Sequence, residues 1–312
     1  MRVVRSLKRV SANLKNGCAL TIGNFDAVHI GHQKILSQLV DRATAMGVPA
    51  VVMTFDPTPQ EYFRGVGIVP KLTSIGTRAF LLEQSGVDMM LALKFDASIA
   101  NMEAPNFIQH CLVDQLRIKY LMVGDDFRFG KNRGGDYDLL RQNAEEYVYE
   151  VDHFKTISHN GLRVSSTYVR KLLGEGEIRA VAALLGRPYM MSGRVQHGDK
   201  RGRQWGFPTL NLAVKGRPAL TGVFLVRVCK LDDQPVYGVA NLGRRPTVGG
   251  FKVLLEIHLF DFSREVYGER ICVEFLEKIR DEKKFESFEE LKAQIAKDSE
   301  QARSMAAVER QS

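Results

Sequence analysis

Apolar and polar positions follow two different patterns along the chain. Between residues 18 and 154, short apolar runs typical of buried strands alternate with segments of helical period. In 33–46, for example, apolar side chains recur at positions 35, 36, 39, 40 and 43, which places them on one face of a helix. This alternation predicts a parallel sheet covered by helices. The predicted strands are Cys18–Ile22, Ala50–Phe55, Met89–Leu93 and 119–123, and the predicted helices are 33–46, 73–84 and 106–116.

The pattern changes after the segment Gly-Arg-Pro at 186–188, which breaks regular structure. Two short helices, 168–173 and Ile178–Leu185, precede it, and strands separated by turns follow it. We therefore predict an α/β domain over 1–186 and a small antiparallel β-barrel domain with a terminal helix over 187–312. The elements predicted for the barrel domain are strands over 189–195, Gly222–Cys229, 236–241, 253–260 and 271–275, a helix over 288–296 and a fraying polar tail beyond Asp298.

Composition narrows the class of protein. The chain has 312 residues, of which 45% are hydrophobic and 26% are charged, so a disordered or collagen-like chain is excluded. It has no apolar run long enough to cross a membrane as a helix, and the basic segment 1–10 lacks the apolar core of a signal peptide, so a cytoplasmic protein is expected. The net charge of +8 is compatible with binding of a polyanion, with binding of a phosphorylated small substrate, or with a role in solubility alone. The charge does not discriminate among these three explanations. Cys18, Cys111, Cys229 and Cys272 form no CxxC pair, so buried or idle thiols are expected.

A first candidate site lies at residues 21–32, TIGNFDAVHIGH, which follow a predicted strand and open a helix. A helix N-terminus presents unpaired N–H groups to an anion, and Gly31 leaves room for a phosphate to approach the backbone. His29 and His32 then lie on one side of the turn, where they can donate hydrogen bonds to phosphate oxygens and stabilise a transition state. The alternatives are a zinc site and two ordinary histidines. Neither a dinucleotide fingerprint nor a P-loop occurs at this turn.

Together with four later segments, this stretch resembles the bacterial FAD synthetase branch of the nucleotidyltransferase superfamily. The later segments are FDP at 55–57, LTS at 72–74, GDDFRFG at 124–130, and SST at 165–167 with Arg170. The resemblance implies a Rossmann-like parallel-sheet domain in which the two histidines are catalytic and contact ATP phosphates. The further ATP-binding residues that it implies are Gly23, Phe25, Gly31, Ser166, Thr167 and Arg170.

The same resemblance assigns the GDDFRFG loop to the flavin side of the site, through Asp125, Asp126 and Arg128. The alternative for this loop is a polar turn with Phe127 and Phe129 in the core. The chain departs from the family pattern at three positions. Ala27 replaces a common Gly, which costs about 1 kcal/mol if the turn needs a positive φ. Tyr168 replaces a frequent Arg, and Phe224 replaces a frequent Tyr.

A second candidate site lies at 202–212, GRQWGFPTLNL, where glycines and a proline imply a rigid loop. Thr209 and Asn211 are two apart and share one face if the chain is extended, and their oxygens suit Mg²⁺ bridging ATP phosphates. A structural turn is the alternative. The segment is similar to the GRxxGFPTxN signature of riboflavin kinases, and the match continues through the barrel half. It implies ATP binding by Gly202, Arg203 and Gly206, metal binding by Thr209 and Asn211, and Glu256 as the general base.

The two resemblances together imply the family of bifunctional riboflavin kinases/FAD synthetases. Riboflavin and ATP would give FMN in the barrel domain, and FMN and ATP would give FAD and pyrophosphate in the N-terminal domain, both with Mg²⁺. The expected partners are the small molecules ATP, riboflavin and FMN, without nucleic acid or membrane, and weak self-association stays open. Two rival interpretations are a kinase whose adenylyltransferase site is weakened, so that FMN accumulates, and a flavin- or RNA-binding regulator that uses the basic surface.

Overall fold

A computed structural model describes residues 1–311 except 66, 156, 160, 197–206, 215, 230, 233 and 248–249. The chain forms two compact units. The first unit comprises Met1–Val69 and Arg78–Ser165, and the second comprises Pro70–Thr77 and Ser166–Ser312. Among the helices of the described residues, none is both long and apolar enough to cross a membrane.

The first unit is built on a six-stranded sheet in which every pair of neighbouring strands is parallel. Its strands are β1 Arg2–Val4, β2 Cys18–Ile22, β3 Ala50–Phe55, β4 Met89–Leu93, β5 Ile118–Gly124 and β6 Glu150–Phe154. The three strands β2, β3 and β4 have the bounds predicted from the sequence. They are almost completely buried, because helices cover both faces of a parallel sheet, and this explains why they read as continuous apolar runs.

The strand order of this sheet is β1-β4-β3-β2-β5-β6, so the direction of winding reverses between β2 and β5. In open α/β sheets, ligands bind at such a reversal, in the crevice beyond the carboxyl ends of the strands. The segments that follow β2 and β5 are 23–29 and 125–130, which carry two of the predicted site motifs. The topology therefore places both motifs at the edge where a ligand site is expected.

Helices and short turns connect these strands. The helices are α1 Leu7–Ser11, α2 Ile30–Met46, α3 Pro59–Arg64, α4 Ile75–Gln84, α5 Ala97–Ala100, α6 Ala104–Asn106 and α7 Tyr137–Tyr147. The helix predicted over 106–116 is a π-helix, Phe107–Gln115, which continues directly from α6. A two-stranded hairpin of β7 Ser158–His159 and β8 Leu162–Arg163 precedes the second unit.

The second unit is built on a six-stranded antiparallel sheet of order β10-β13-β12-β11-β14-β9. Its strands are β9 Tyr189–Arg194, β10 Leu210–Val214, β11 Gly222–Cys229, β12 Val236–Thr247, β13 Gly250–Leu259 and β14 Arg270–Arg280. An antiparallel bridge between Gln196 and Asn211 brings the two edges together, so the sheet is nearly closed. The predicted small β-barrel is thereby confirmed.

In the described part of this second unit, the helices that follow the first sheet are α8 Ser166–Glu175, α9 Ile178–Leu185 and α10 Phe288–Glu309. Helix α9 packs against β9 and β14. The predicted functional boundary after residue 186 falls just beyond α9 and stays a prediction.

The expectation that the chain frays beyond Asp298 is wrong, because α10 continues to Glu309. Ala302 and Ala306, one turn apart, are buried against an apolar patch on the barrel that includes Val223 and Leu225. Asp298 itself is buried and accepts hydrogen bonds from the Arg280 guanidinium at 2.6 to 3.0 Å. Small apolar side chains and ion pairs therefore fix a segment whose composition is typical of a polar tail.

Candidate active sites

The turn between β2 and α2 holds the first candidate site, and it adopts an unusual backbone conformation. Phe25, Ala27 and Val28 have positive φ values of 46°, 71° and 46°. Side chains with a Cβ disfavour this region by roughly 1–2 kcal/mol per residue, so the surrounding packing must impose it. All three side chains are buried. Ala27 therefore stands at a position that favours glycine. The free-energy cost expected for alanine at a positive φ applies to this residue.

His29 and His32 lie together at the start of α2. The backbone N–H of His32 donates to Nδ1 of His29 at 3.2 Å, so His29 caps the helix and carries its own proton on Nε2. The two imidazole rings stack with their centroids 3.7 Å apart, and the ring of Phe25 lies 4.9 Å from that of His32. The sequence prediction that the two histidines share one side of the turn is confirmed.

Both histidines are neutral at physiological pH. Burial lowers the pKa of His29 to about 4. Burial also lowers the pKa of His32 well below its usual value, and the nearby His29 and Arg78 lower it further. A neutral imidazole offers one N–H donor and one acceptor. The buried Nδ1 of His32 has no hydrogen-bond partner among the described residues, so this polar atom is left for a ligand or water.

Gly31 allows this arrangement of rings. A Cβ at residue 31 would lie 3.1 Å from Nδ1 of His29, which is tighter than almost all real Cβ contacts. At Gly23, in the same way, a Cβ would lie 3.0 Å from the ring of Phe25. Both glycines are thus explained by close approach of an aromatic ring within the turn. Whether a phosphate also approaches them stays a prediction.

Beneath the turn lies a buried ion pair that sequence reasoning missed. Nη2 of Arg78, on α4, lies 3.4 Å from Oδ1 of Asp26, and both side chains are at least nine-tenths buried. The same guanidinium donates through Nη1 to Oγ1 of Thr54, on β3, at 3.2 Å. Burial lowers the pKa of Arg78, and the carboxylate of Asp26 partly opposes that effect. Arg78 is thus a buried cation that contacts the turn carrying the histidines.

The loop that follows β5 contains the three residues predicted for the flavin side, and all three are exposed. Asp126 accepts a hydrogen bond from the guanidinium of Arg163 at 2.7 Å, and Arg128 donates to the carbonyl of Phe127 at 2.9 Å. The backbone N–H of Asp125 donates to the carbonyl of Phe154 at the end of β6. Because β5 is the neighbour of β2, this loop lies at the same edge of the sheet as the histidine turn.

The two phenylalanines of that loop have a structural role. Phe129 is buried in the core of the first unit and Phe127 packs against that core, with their ring centroids 5.5 Å apart. Their alternative interpretation as core residues is therefore confirmed. Because both rings pack in or against the core, Asp125, Asp126 and Arg128 form the polar surface of the loop.

Four aromatic side chains form a further feature of this edge, which we call the aromatic cluster: Phe55, Tyr62, Phe63 and Phe95. Their rings meet edge to face at centroid distances of 5.1 to 5.9 Å. Phe63 is 69% exposed and Tyr62 is 40% exposed, which is unusual for large apolar rings. Phe55 ends β3 and Phe95 follows β4, so the cluster also lies at the carboxyl edge of the sheet. Sequence reasoning missed it, because two separate segments contribute the rings.

Ser166, Thr167 and Arg170 belong to the second compact unit, unlike the histidines. Ser166 begins α8, so the helix predicted over 168–173 is present and begins two residues earlier than expected. Thr167 is exposed and Ser166 is partly buried. Nε of Arg170 donates to the carbonyl of Pro70 at 2.7 Å, so this N–H donor of the guanidinium is already used within the protein.

The second candidate site lies on the barrel. Asn211 on β10 is directly opposite Glu256 on β13, and Glu256 is directly opposite Asn241 on β12. Directly opposed residues place their side chains on the same face of a sheet. The three polar residues therefore form a row across three strands, with Thr209 just before β10. Gly202, Arg203 and Gly206 lie outside the described residues.

His258 holds the segment before β10 against β13. Its Nδ1 lies 3.0 Å from the carbonyl oxygen of Pro208, and because a carbonyl only accepts, Nδ1 is the donor. The ring of Phe207 meets His258 edge to face at 5.3 Å. Burial lowers the pKa of His258, so the ring is neutral near pH 7. The contact lies next to Thr209 and therefore restrains one of the two predicted metal ligands.

The donor types near Glu256 fit a magnesium ion that is shared with phosphates. Among the described residues, no three His, Cys, Asp or Glu side chains are grouped so as to hold a metal ion. Mg²⁺ bound with a nucleotide needs only one or two protein oxygens, since phosphates and water complete its shell. The hydroxyl of Thr209 and the side-chain carbonyl of Asn211 are oxygens of that kind.

Comparison with known proteins gives matches along nearly the whole chain. The family model of FAD synthetase matches residues 11–168, and that of riboflavin kinase matches residues 185–306. A bifunctional riboflavin kinase/FMN adenylyltransferase of Escherichia coli (strain K12) is 42% identical over 97% of this chain and 97% of its own length. A protein of the same description from Pseudomonas fluorescens is 43% identical over 98% of both chains.

Among solved structures, a macrolide-efflux protein from Streptococcus pneumoniae superposes with a TM-score of 0.79 at 27% identity. The match covers 97% of this chain and 99% of that chain, so the likeness extends to both units.

Proposed function

The chain belongs to the family of bifunctional riboflavin kinases/FMN adenylyltransferases, and we propose that its two activities use the two candidate sites described above. The enzyme phosphorylates riboflavin with ATP to give FMN, and it adenylylates FMN with ATP to give FAD and pyrophosphate. The observation that carries the assignment is the pair of stacked neutral histidines at the winding reversal of the first sheet.

In the adenylyl transfer, a phosphate oxygen of FMN attacks the α-phosphorus of ATP, and the bond from that phosphorus to the bridging oxygen breaks as pyrophosphate leaves. Negative charge spreads over the phosphate oxygens during this step. His29 and His32 serve as catalytic residues by donating N–H hydrogen bonds to those oxygens. Neutral rings suit this task, because a donor that needs no prior protonation works throughout the neutral pH range.

The roles of the remaining ATP-binding residues are proposed from the chemistry of their backbone and side chains. Gly23, Phe25 and Gly31 shape the turn, and the free N–H groups at the start of α2 bind phosphate. Ser166, Thr167 and Arg170 bind ATP through hydroxyl and guanidinium donors.

The flavin side is proposed at the loop after β5 and at the aromatic cluster. Asp125, Asp126 and Arg128 present exposed polar groups there. The exposed ring of Phe63 offers a stacking surface for the apolar isoalloxazine ring, since aromatic rings gain free energy when they stack.

In the kinase reaction, the 5′-hydroxyl of riboflavin attacks the γ-phosphorus of ATP and ADP leaves. Glu256 is the general base that accepts the hydroxyl proton, and Thr209 and Asn211 hold Mg²⁺. When bound, Mg²⁺ neutralises charge on the phosphates. Asn211 supports the assignment because it lies directly opposite Glu256. Gly202, Arg203 and Gly206 are proposed to bind ATP.

We further propose that the protein is cytoplasmic, where ATP is abundant, and that it acts on small molecules without a nucleic-acid or membrane partner. The protein is also proposed to associate weakly with itself. Sedimentation velocity across a range of protein concentrations tests it.

Product chromatography tests the two-site assignment, with one reaction started from riboflavin and a second from FMN. Glu256→Gln should abolish FMN formation and leave FAD formation from FMN intact, whereas His29→Ala should do the reverse. Glu289→Gln and His110→Ala, at exposed positions, are the matched controls. Loss of both activities in one folded variant would overturn the separation of sites. Accumulation of FMN by the unaltered protein would instead support the rival interpretation of a weakened adenylyltransferase site.

A further inference from the structure

Two cysteines that are distant in sequence meet on the barrel. Cys229, at the end of β11, is directly opposite Cys272 on β14 in the antiparallel register. Directly opposed residues in antiparallel strands have Cα atoms about 4.5–5.5 Å apart, and a disulfide spans Cα distances of about 4.4–6.8 Å. The backbone spacing is therefore compatible with a bond between the two sulfurs without movement of either strand.

The neighbouring pair on the same face shows that side chains meet across these two strands. Arg227 and Glu274 are also directly opposed, two residues before Cys229 and two after Cys272. Their guanidinium and carboxylate are in contact, with Nε and Nη2 both 2.7 Å from Oε2. Alternation along a strand puts the cysteines on the same face as this ion pair. The register shifts in this pairing lie before Val226, so the ladder is regular from Arg227 to Cys229.

The surroundings of the two thiols differ in a way that suits oxidation. Cys229 is partly exposed, so a small oxidant can reach it, whereas Cys272 is buried. The guanidinium of Arg187 lies close enough to Cys272 for their charges to interact. A nearby cation stabilises a thiolate, which is the nucleophilic form of cysteine.

We propose that Cys229 and Cys272 form a reversible cross-strand disulfide when the protein meets a hydroperoxide. The sulfur of Cys229 attacks the peroxide oxygen, which gives a sulfenic acid and, from hydrogen peroxide, one water. The thiolate of Cys272 then attacks the sulfenic sulfur, forms the S–S bond and releases a second water. Two electrons pass from the two thiols to the peroxide. A dithiol reductant reverses the bond by thiol–disulfide exchange.

The bond protects Cys229 from irreversible oxidation. A sulfenic acid without a resolving thiol goes on to sulfinic acid, which ordinary dithiols do not reduce. The site lies six residues along β11 from Val223, the residue opposite Asn241, and this corresponds to about 20 Å of strand. The disulfide therefore leaves the row around Glu256 unchanged, and we expect the oxidised enzyme to keep its kinase activity.

The two other cysteines serve as internal controls. Burial raises the pKa of Cys18 to about 12 and that of Cys111 to about 11, so both thiols are unreactive near neutral pH. Cys18 donates to the carbonyl of Leu116, and Cys111 lies 3.8 Å from the sulfur of Met102. Both are free cysteines of the first compact unit, whereas Cys229 and Cys272 belong to the second.

The test treats the reduced full-length protein with hydrogen peroxide and titrates its thiols after denaturation. Titratable thiols should fall from four to two, and peptide mass spectrometry should find residues 229 and 272 linked with the loss of two hydrogens. Dithiothreitol should restore all four. Cys229→Ser and Cys272→Ser should each abolish the link, and Cys111→Ser should keep it. In Cys272→Ser, Cys229 should accumulate as sulfinic acid.

Arg187→Gln gives an independent test of the mechanism. The attack of Cys272 on the sulfenic sulfur should become slower by about tenfold, the effect of one unit of pKa on the thiolate fraction, and Arg187→Lys should largely restore the rate of this second step. Retention of four thiols after peroxide, a bond between two protein molecules or a bond that involves Cys18 or Cys111 would each overturn the proposal. So would sulfinic acid at Cys229 in the unaltered protein before any linked peptide forms.

Discussion

Asp26 and Arg78 form a buried ion pair beneath the turn that carries His29, with Oδ1 and Nη2 3.4 Å apart. Asp26 lies between Phe25 and Ala27, two of the residues with positive φ. The pair thus joins α4 to the segment of the turn in which positive φ values make the backbone conformation unfavourable in isolation. It ties the geometry of the histidines to a residue from a distant part of the chain.

Arg78→Met should remove this support. The variant leaves the carboxylate of Asp26 buried without its cation, so unfolding of the first unit should require about 3–5 kcal/mol less free energy. FAD formation from FMN should fall through kcat, because the histidines lose their position, while riboflavin phosphorylation is retained. Arg78→Lys keeps the charge and should recover part of both losses. Urea unfolding and steady-state kinetics of the two reactions measure these effects, and equal losses in Lys and Met variants would contradict a positioning role.

The depressed pKa of His29 predicts how stability depends on pH. Its pKa is about 4 in the folded protein against an ordinary value of 6.5, so the unfolded chain binds the proton more readily. Its contribution is complete above about pH 6.5 and is lost progressively as the pH falls towards 4. Between pH 7.5 and pH 5 the loss should be about 2 kcal/mol.

The measurement is urea unfolding at these two pH values, with His29→Asn beside the unaltered protein. The asparagine variant should lose about 2 kcal/mol less between pH 7.5 and pH 5, because it lacks this group. His110→Ala is the matched control, since His110 is exposed and lies on the π-helix. An identical pH dependence of the His29→Asn variant and the unaltered protein would show that His29 is not held in its neutral form.

Several parts of this molecule could be predicted from the sequence because local patterns determine them. The strands β2, β3 and β4 are continuous apolar runs, and burial on both faces of a parallel sheet requires this composition. Helix α9 has the bounds Ile178–Leu185 that its apolar periodicity predicts. At Ala27, the glycine that is common in the family raised a positive φ as a condition only, and the structure shows that this condition is met.

The remaining parts depend on contacts between residues distant in sequence. Arg78 reads as an ordinary helix residue until the fold brings it to Asp26. Cys229 and Cys272 read as unrelated until the register of β11 and β14 opposes them. The tail beyond Asp298 reads as polar because alanines carry little hydrophobic signal, although Ala302 is completely buried.

Ala27→Gly should change the free energy of unfolding by less than about 1 kcal/mol. Relief of the positive φ stabilises the folded state by about 1 kcal/mol, and the greater freedom of glycine in the unfolded chain offsets most of it. Ala27→Val should cost at least about 2 kcal/mol, because a β-branched side chain suits neither the φ of 71° nor the buried site. Thermal unfolding of both variants measures the difference. A valine variant as stable as the glycine variant would contradict the conformation of this turn.

Ala302→Asp should destabilise the barrel by at least about 2 kcal/mol, because it buries a charge where α10 meets the sheet. Ala296→Asp is the matched control, since Ala296 is exposed on the same helix and should change stability by less than about 0.5 kcal/mol. Urea unfolding followed by circular dichroism compares the two. Equal stability of these variants would mean that the last turns of α10 do not pack against the barrel.

The hydrogen bond from His258 to the carbonyl of Pro208 makes a final prediction about the kinase site. His258→Leu removes the donor, so the segment that carries Thr209 loses its tie to β13. The kinase rate should fall by about tenfold, since an unpaired partly buried carbonyl costs about 1–3 kcal/mol, and half-maximal activity should need more Mg²⁺. His258→Asn keeps an N–H donor near the position of Nδ1 and should restore most of the rate. FAD formation from FMN, measured in the same samples, should be unchanged in both variants. If leucine and asparagine variants have the same magnesium dependence as the unaltered enzyme, His258 does not position the metal ligand.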